Sequence, residues 1–194
     1  MGTMQLSGKF VLYGRVLTGW PAVVFLILAV ILGIDSGTAA GGGPQPASKP
    51  LAFDGQLVLS KTDRCPVCAM FPSRHPRSAA AMKLKNGATF YFCSNGCLLR
   101  AFLRPRAYLG VEREALDRLV VLDYFSGQPV DAHTATWVAG SDVLGPMGPA
   151  IIALAETGHI DAFKKRHGGN AVFILDRLDD DLWRKISRYK LPEP

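Results

Sequence analysis

Residues 79–92, AAAMKLKNGATFYF, run directly into residues 93–103, CSNGCLLRAFL, and this junction decides the fold. Two strand-like runs flank Asn86-Gly87, a dipeptide that closes tight antiparallel hairpins, so a type I′ turn is expected there. Beyond Cys93 the apolar spacing changes from two to 3.6. Leu98, Ala101 and Phe102 share one helical face, Ser94 or Asn95 stands where a cap is needed, and Pro105 limits the helix. Residues 118–127, RLVVLDYFSG, then supply branched and aromatic residues for another strand. The order is strand, strand, helix, strand.

The same order returns further on. ATWVAG (135–140) reads as a strand, PAIIALA (149–155) as a second, and HIDAFKKRHGG (159–169) as a helix stopped by Gly168-Gly169. AVFILDRL (171–178) closes the set as a strand. The pairs Ala101-Phe102 and Ala162-Phe163 fall at matching places on the two helices. A last helix begins in DDDLWRKISRYK (179–190), with Asp179–Asp181 complementing its positive end. The pattern predicts an α+β protein of two related ββαβ units, over 57–127 and 128–194. A single mixed sheet with helices on one side fits the same pattern.

Residues 1–40 have another character. Lys9 and Arg15 precede WPAVVFLILAVILGI (20–34), and small residues at Thr38-Ala39-Ala40 follow. A positive flank, an apolar run and small residues form an export signal. Ala22 to Ile34 suits a signal-peptide core, and extension back to Val16 makes a membrane-spanning helix of marginal length. Cleaved or retained in the inner membrane, the segment places the body outside the cytoplasm, in the periplasm or its equivalent, because the basic flank stays inside. No cysteine lies near the small residues, so an acylated N-terminal cysteine is not expected. The Gly/Pro/Ser-rich stretch 41–56 reads as a flexible tether.

The body carries its charge thinly. Twenty-two basic and sixteen acidic residues give a net charge of +6, scattered rather than gathered with aromatics, so nucleic acid is not an expected partner. Hydrophobic residues make up 48% of the chain, enough for a core without cross-links. The only four cysteines are nonetheless clustered: Cys65 and Cys68 in RCPVCAMF (64–71), and Cys93 and Cys97 astride a helix start. Two such pairs separated by a hairpin make a metal knuckle of the kind that holds zinc with four thiolates. The helix start favours thiolate over thiol at Cys93 and Cys97. Two disulfides in an oxidising compartment, or a thiol–disulfide redox pair, are the competing uses. Met70 lies two residues past Cys68, and Met147 stands in the loop SDVLGPMGPA (141–150), where a thioether has no evident core to fill. Thiolate and thioether donors together select Cu(I) over Mg, Ca or Mn. The four histidines read as surface residues, and no constellation for hydrolysis or phosphate binding is present, so no catalysis is expected.

RCPVCAMF, the strand pair after it, TATWVAGSDVLGPMG and HGGNAVFILD together resemble NosL, the nitrous oxide reductase accessory protein family. FYFCSNGCLLRAF is also similar to the TRASH/YHS pattern of heavy-metal-binding cysteines. The resemblance spans most of residues 57–177. It implies two ββαβ units, an extracytoplasmic location, and Cu(I) delivered to a client cuproenzyme, nitrous oxide reductase, during assembly of its copper centre. Cys65, Cys68, Met70 and Met147 carry over as donors, with Cys93 and Cys97 forming a second site or holding a structural zinc. Three positions depart from the family: Ala69 replaces a glycine, Pro149 stands where a histidine often follows, and the lipid-attachment cysteine is missing. The rival reading is a zinc-knuckle adaptor whose metal is permanent.

Overall fold

The computed structural model of the chain describes Met1 and residues 43–193. The segment read as signal or anchor therefore lies, but for Met1, outside the described residues. Among the described residues no helix is long and apolar enough to cross a membrane.

The expected hairpin forms from β1 (Ala80–Leu84) and β2 (Thr89–Phe92), paired Ala80 to Phe92 through Lys83 to Thr89. Its turn is not type I′. Leu84 N–H donates to Ala88 O and Gly87 N–H to Leu84 O, which leaves a three-residue loop, 85–87. Gly87 alone in it has a positive φ, +89°, whereas a type I′ turn needs two such residues. Helix α1 (Asn95–Leu103) follows, capped as expected by Ser94, whose side chain accepts from Cys97 N–H. Pro105 ends α1 and starts another short helix, α2 (Pro105–Leu109), since proline is welcome at a first helical position. Strand β3 (Leu116–Leu122) pairs with β1, and β4 (Pro129–Asp131) with β3. Residues 129–131 therefore belong to the first sheet, although composition assigned them to the second unit. Three residues starting with proline show no periodicity.

The second unit holds β5 (Thr136–Ser141), a small hairpin of β6 (Leu144–Gly145) and β7 (Gly148–Pro149), and β8 (Ile152–Leu154). Helix α3 (His159–His167), strand β9 (Gly168–Ile174) and helix α4 (Asp180–Ile186) complete the chain. The sheets run β2-β1-β3-β4 and β8-β5-β9, antiparallel throughout. In both, the first strand of the unit is central, with the second and third on either side. The fold is α+β, in two sheets rather than one mixed sheet.

Alternation along the strands sorts side chains between faces. Met82, Leu84, Phe90, Phe92, Leu119 and Val121 of the first sheet enter the same core as Trp137, Ala139, Ala153 and Phe173 of the second, together with Leu98, Leu99 and Phe102 of α1. Each fully buried Leu or Phe is worth about 1.5–3 kcal/mol. The opposite face of the first sheet, with Ala81, Tyr91 and Val120, is covered by Leu51, Leu57 and Leu59. Much of the stretch read as tether is thus bound down. Ala47 N–H donates to Thr89 O (2.7 Å), Leu51 N–H donates to Thr89 Oγ1 (3.1 Å), and Leu51 is buried. The opposite face of the second sheet packs Val138, Ile152 and Leu154 against Phe163 of α3.

Asp123 ties the sheets together where β3 ends. Its carboxylate accepts from Ala155 N–H (2.8 Å) and from Ser126 N–H and Oγ–H (both 2.7 Å). Burial pushes its pKa up, but these bonds outweigh burial and leave it below the ordinary carboxylate range.

Candidate metal centre

Residues 64–71 form a tight knuckle. Ala69 N–H donates to Cys65 O and Cys65 N–H to Met70 O, each at 2.8 Å, which folds the chain back on itself. The return needs a left-handed residue, and Ala69 supplies it at φ +61°, the single non-glycine with positive φ among the described residues. An L-residue with a Cβ is held in this region at a cost of about 1–2 kcal/mol. Ala69→Gly is therefore expected to raise the melting temperature by a few degrees, as about 1 kcal/mol does in a chain of this size. A lower melting temperature would mean that the methyl group is needed by its surroundings.

The hairpin and α1 bring the other pair to this knuckle. Cys93 follows β2 and Cys97 lies in the first turn of α1, while Ser78 Oγ–H donates to Cys93 O (2.8 Å). All four sulfurs lie within 4.8 Å of one another. Cys68–Cys93 is 3.3 Å, and Cys93–Cys97 and Cys68–Cys97 are each 3.8 Å. An ion bound to sulfur at about 2.3 Å in a tetrahedron has S–S edges of about 3.8 Å, so the donors already stand near the separation that one ion needs. The two pairs thus form one cage, as the four-thiolate knuckle reading expected, rather than two separate sites. Cys65, Cys93 and Cys97 are almost fully buried, at 1%, 0% and 1% exposure, and Cys68 is half-buried.

Charge within the cage is uneven. Its contacts with Cys65, Cys93 and Cys97 hold Cys68 far below the ordinary thiol range. Cys65 is raised by its bond with Cys68, but Cys93 and Cys97 outweigh this and lower it. Cys93 and Cys97 go up, through their bonds to Cys65 and then Cys68. The direction is opposite to the one expected from the helix start and favours protons on Cys93 and Cys97. An entering ion must displace them.

The methionines take different places. Met70 packs half-buried against the core, as does Met147. Met147 sits in the two-residue loop of the β6–β7 hairpin, with its carbonyl accepting from Tyr189 O–H at 2.6 Å. Gly148 beside it has φ +93°, and a Cβ there would stand 2.5 Å from Arg188 Nη2, so the C-terminal segment packs closely on this hairpin. Met147 and Cys97 both line a cavity of about 720 Å³. Sequence reading missed this cavity and the residues from the chain end that shape it, because only the fold joins positions so far apart.

The histidines stay outside the cage. His133 pairs with Asp176, and His167 bridges Asp142 and Tyr124.

The chain is similar to known proteins. Over 171 residues the chain is 28% identical to the copper-binding lipoprotein NosL of Stutzerimonas stutzeri, covering 83% of each chain. Its fold is similar to the crystal structure of the copper chaperone NosL from Shewanella denitrificans, with a TM-score of 0.56 at 21% identity, over 67% of this chain and 99% of that one. These relatives are named for handling copper and not for a catalysed reaction. The family model of NosL matches residues 56–183, both sheets and the cysteine cage included, and the chain belongs to the NosL family.

Proposed function

We propose that the chain is an extracytoplasmic carrier of Cu(I), which hands its ion to a cuproenzyme during assembly of a copper centre, with nitrous oxide reductase the first client to test. The observation that carries the reading is the cage itself: four sulfurs with no oxygen or nitrogen donor among them, three enclosed and one, Cys68, reaching the surface. Thiolates alone suit soft ions. A half-exposed donor gives a partner's ligands a place to begin exchange. Family membership supports copper as the cargo. The basic flank and apolar run before residue 40 support export, with the inner membrane as an anchor if the segment is kept. The Stutzerimonas relative is named a lipoprotein, which supports a place outside the cytoplasm for this chain as well.

Competition titration of the reduced chain decides the cargo. Cu(I) should bind more tightly than Zn(II) and be removed by a chelator of moderate strength, and copper should pass to metal-free nitrous oxide reductase. Tight Zn(II) with weaker Cu(I) would remove the carrier reading. That outcome favours the second reading, a zinc-knuckle adaptor, for which the near-tetrahedral spacing of the sulfurs speaks.

Met147 is read as a further soft donor on the cavity side. Met147→Leu conserves apolar volume and should change stability by less than about 1.5 kcal/mol. Cu(I) affinity should fall and Zn(II) affinity stay. A variant that binds Cu(I) like the parent while melting several degrees lower would make Met147 a packing residue.

A further inference from the structure

The cavity beside the cage has a charge pattern that copper binding does not use. Arg74, Arg77, Arg100 and Arg188 line it, and no Asp or Glu does. Elsewhere Arg104 pairs with Asp180 and Arg106 with Glu112. None of these four has a carboxylate partner among the described residues. Arg100 is the most firmly placed. It donates to Tyr108 O–H at 2.7 Å, its guanidinium lies 5.1 Å from the Tyr108 ring and 5.4 Å from the Tyr189 ring, and its Nε is buried without a partner. The first turn of the nine-residue α1 adds its positive end to the same wall. Much of the remaining lining is apolar, with Leu122, Val143, Ile152 and Trp183 among it.

We infer that this cavity binds a small organic anion, a carboxylate, sulfonate or phosphate on an apolar body the size of an aromatic ring. Unpaired guanidinium groups provide charge-assisted hydrogen bonds for the head, and the apolar wall provides burial for the body. A cavity of about 720 Å³ is the size that small-molecule sites have. The inference stands apart from copper, since it uses no sulfur and is tested on metal-free protein.

The probe is 4-(trifluoromethyl)benzoate, followed by fluorine NMR on the reduced, metal-free full chain, with the uncharged 4-(trifluoromethyl)benzamide beside it. The benzoate should bind saturably and about tenfold or more tighter than the amide. Replacing the exposed pair Arg77→Gln and Arg188→Gln should weaken the benzoate about tenfold at an unchanged melting temperature. The control pair Lys61→Gln and Arg177→Gln, exposed and off the cavity, should leave it alone. Equal binding of acid and amide would reduce the cavity to an apolar slot and overturn the proposal. Parent-like affinity in the Arg77/Arg188 variant, or no saturation by the benzoate, would do the same. Binding of an acidic peptide with none of the benzoate would assign the arginines to a protein partner, and also overturns it.

Discussion

Cys68→Ser should abolish Cu(I) loading while leaving the metal-free fold almost as stable as the parent. Cys68 is the half-buried member of the cage, and its contacts with Cys65, Cys93 and Cys97 lower it furthest toward thiolate. A hydroxyl in its place is a hard, weak ligand that stays protonated, so a soft ion loses its best donor. Water reaches that position, so the serine can be solvated and stability should change by under about 1 kcal/mol. Cys65→Ser should remove loading as well, from a more enclosed position. Cys97→Ser should behave differently. Cys97 is 1% exposed, and a hydroxyl there, if unpaired, costs about 1–3 kcal/mol on top of the lost donor. The measurement is Cu(I) competition titration beside thermal melting for each variant. Copper bound at parent affinity by Cys68→Ser, with Zn(II) lost, would place the cargo outside the cage and sink the proposed route through Cys68.

The sequence revealed most where a local rule acts within a few residues. Ser94 caps α1 because a hydroxyl before a helix finds a free N–H, and Asp179 caps α4 in the same way, accepting from Leu182 N–H at 2.7 Å. The repeat could be read because two strands, a helix and a strand leave two changes of periodicity. The cysteine pairs were legible as a four-thiolate knuckle from their spacing, while the register of β1 with β2, which sets where Cys93 meets Cys65 and Cys68, was not. Strand β4 and the β6–β7 hairpin were illegible. Segments of two or three residues carry no period, and only pairing partners define them. The left-handed backbone of Ala69 was illegible from its residue type for another reason. Left-handed backbone is glycine's territory, so an alanine there gives no local hint, and the knuckle's own hydrogen bonds impose the conformation. The thiols reversed the helix-start expectation because four interacting sulfurs outweigh one helix end.

The second large effect is expected at Trp183, far from the cysteines in sequence. Trp183 is 1% exposed, packs into the core shared by both sheets, and donates its indole N–H to Tyr189 O at 2.7 Å. Tyr189 in turn donates to Met147 O, and Arg188 lies against Gly148. One tryptophan thus anchors α4 and, through the residues after it, steadies the hairpin that carries Met147. The salt bridge from Arg104 to Asp180 adds a second tie at 2.5 Å, but Asp180 is substantially exposed and water screens the pair. Trp183→Ala should cost about 3–5 kcal/mol, the loss for a buried tryptophan, and lower the melting temperature by roughly 10 °C. Trp183→Phe keeps most of the apolar area and removes the indole hydrogen bond, so it should cost about 1–2 kcal/mol. The cage lies in the first unit, on the 64–71 knuckle and the junction of β2 with α1, so Zn(II) binding by the four cysteines should survive both changes at a temperature where the variants are folded. Cu(I) affinity should drop toward that of Met147→Leu, because the loop loses its support. Thermal melting and the two metal titrations, run on both variants, read these effects separately. If Trp183→Ala melts with the parent, α4 is an appendage. If it melts low but keeps full Cu(I) affinity, the C-terminal segment supports the fold and has no part in presenting Met147.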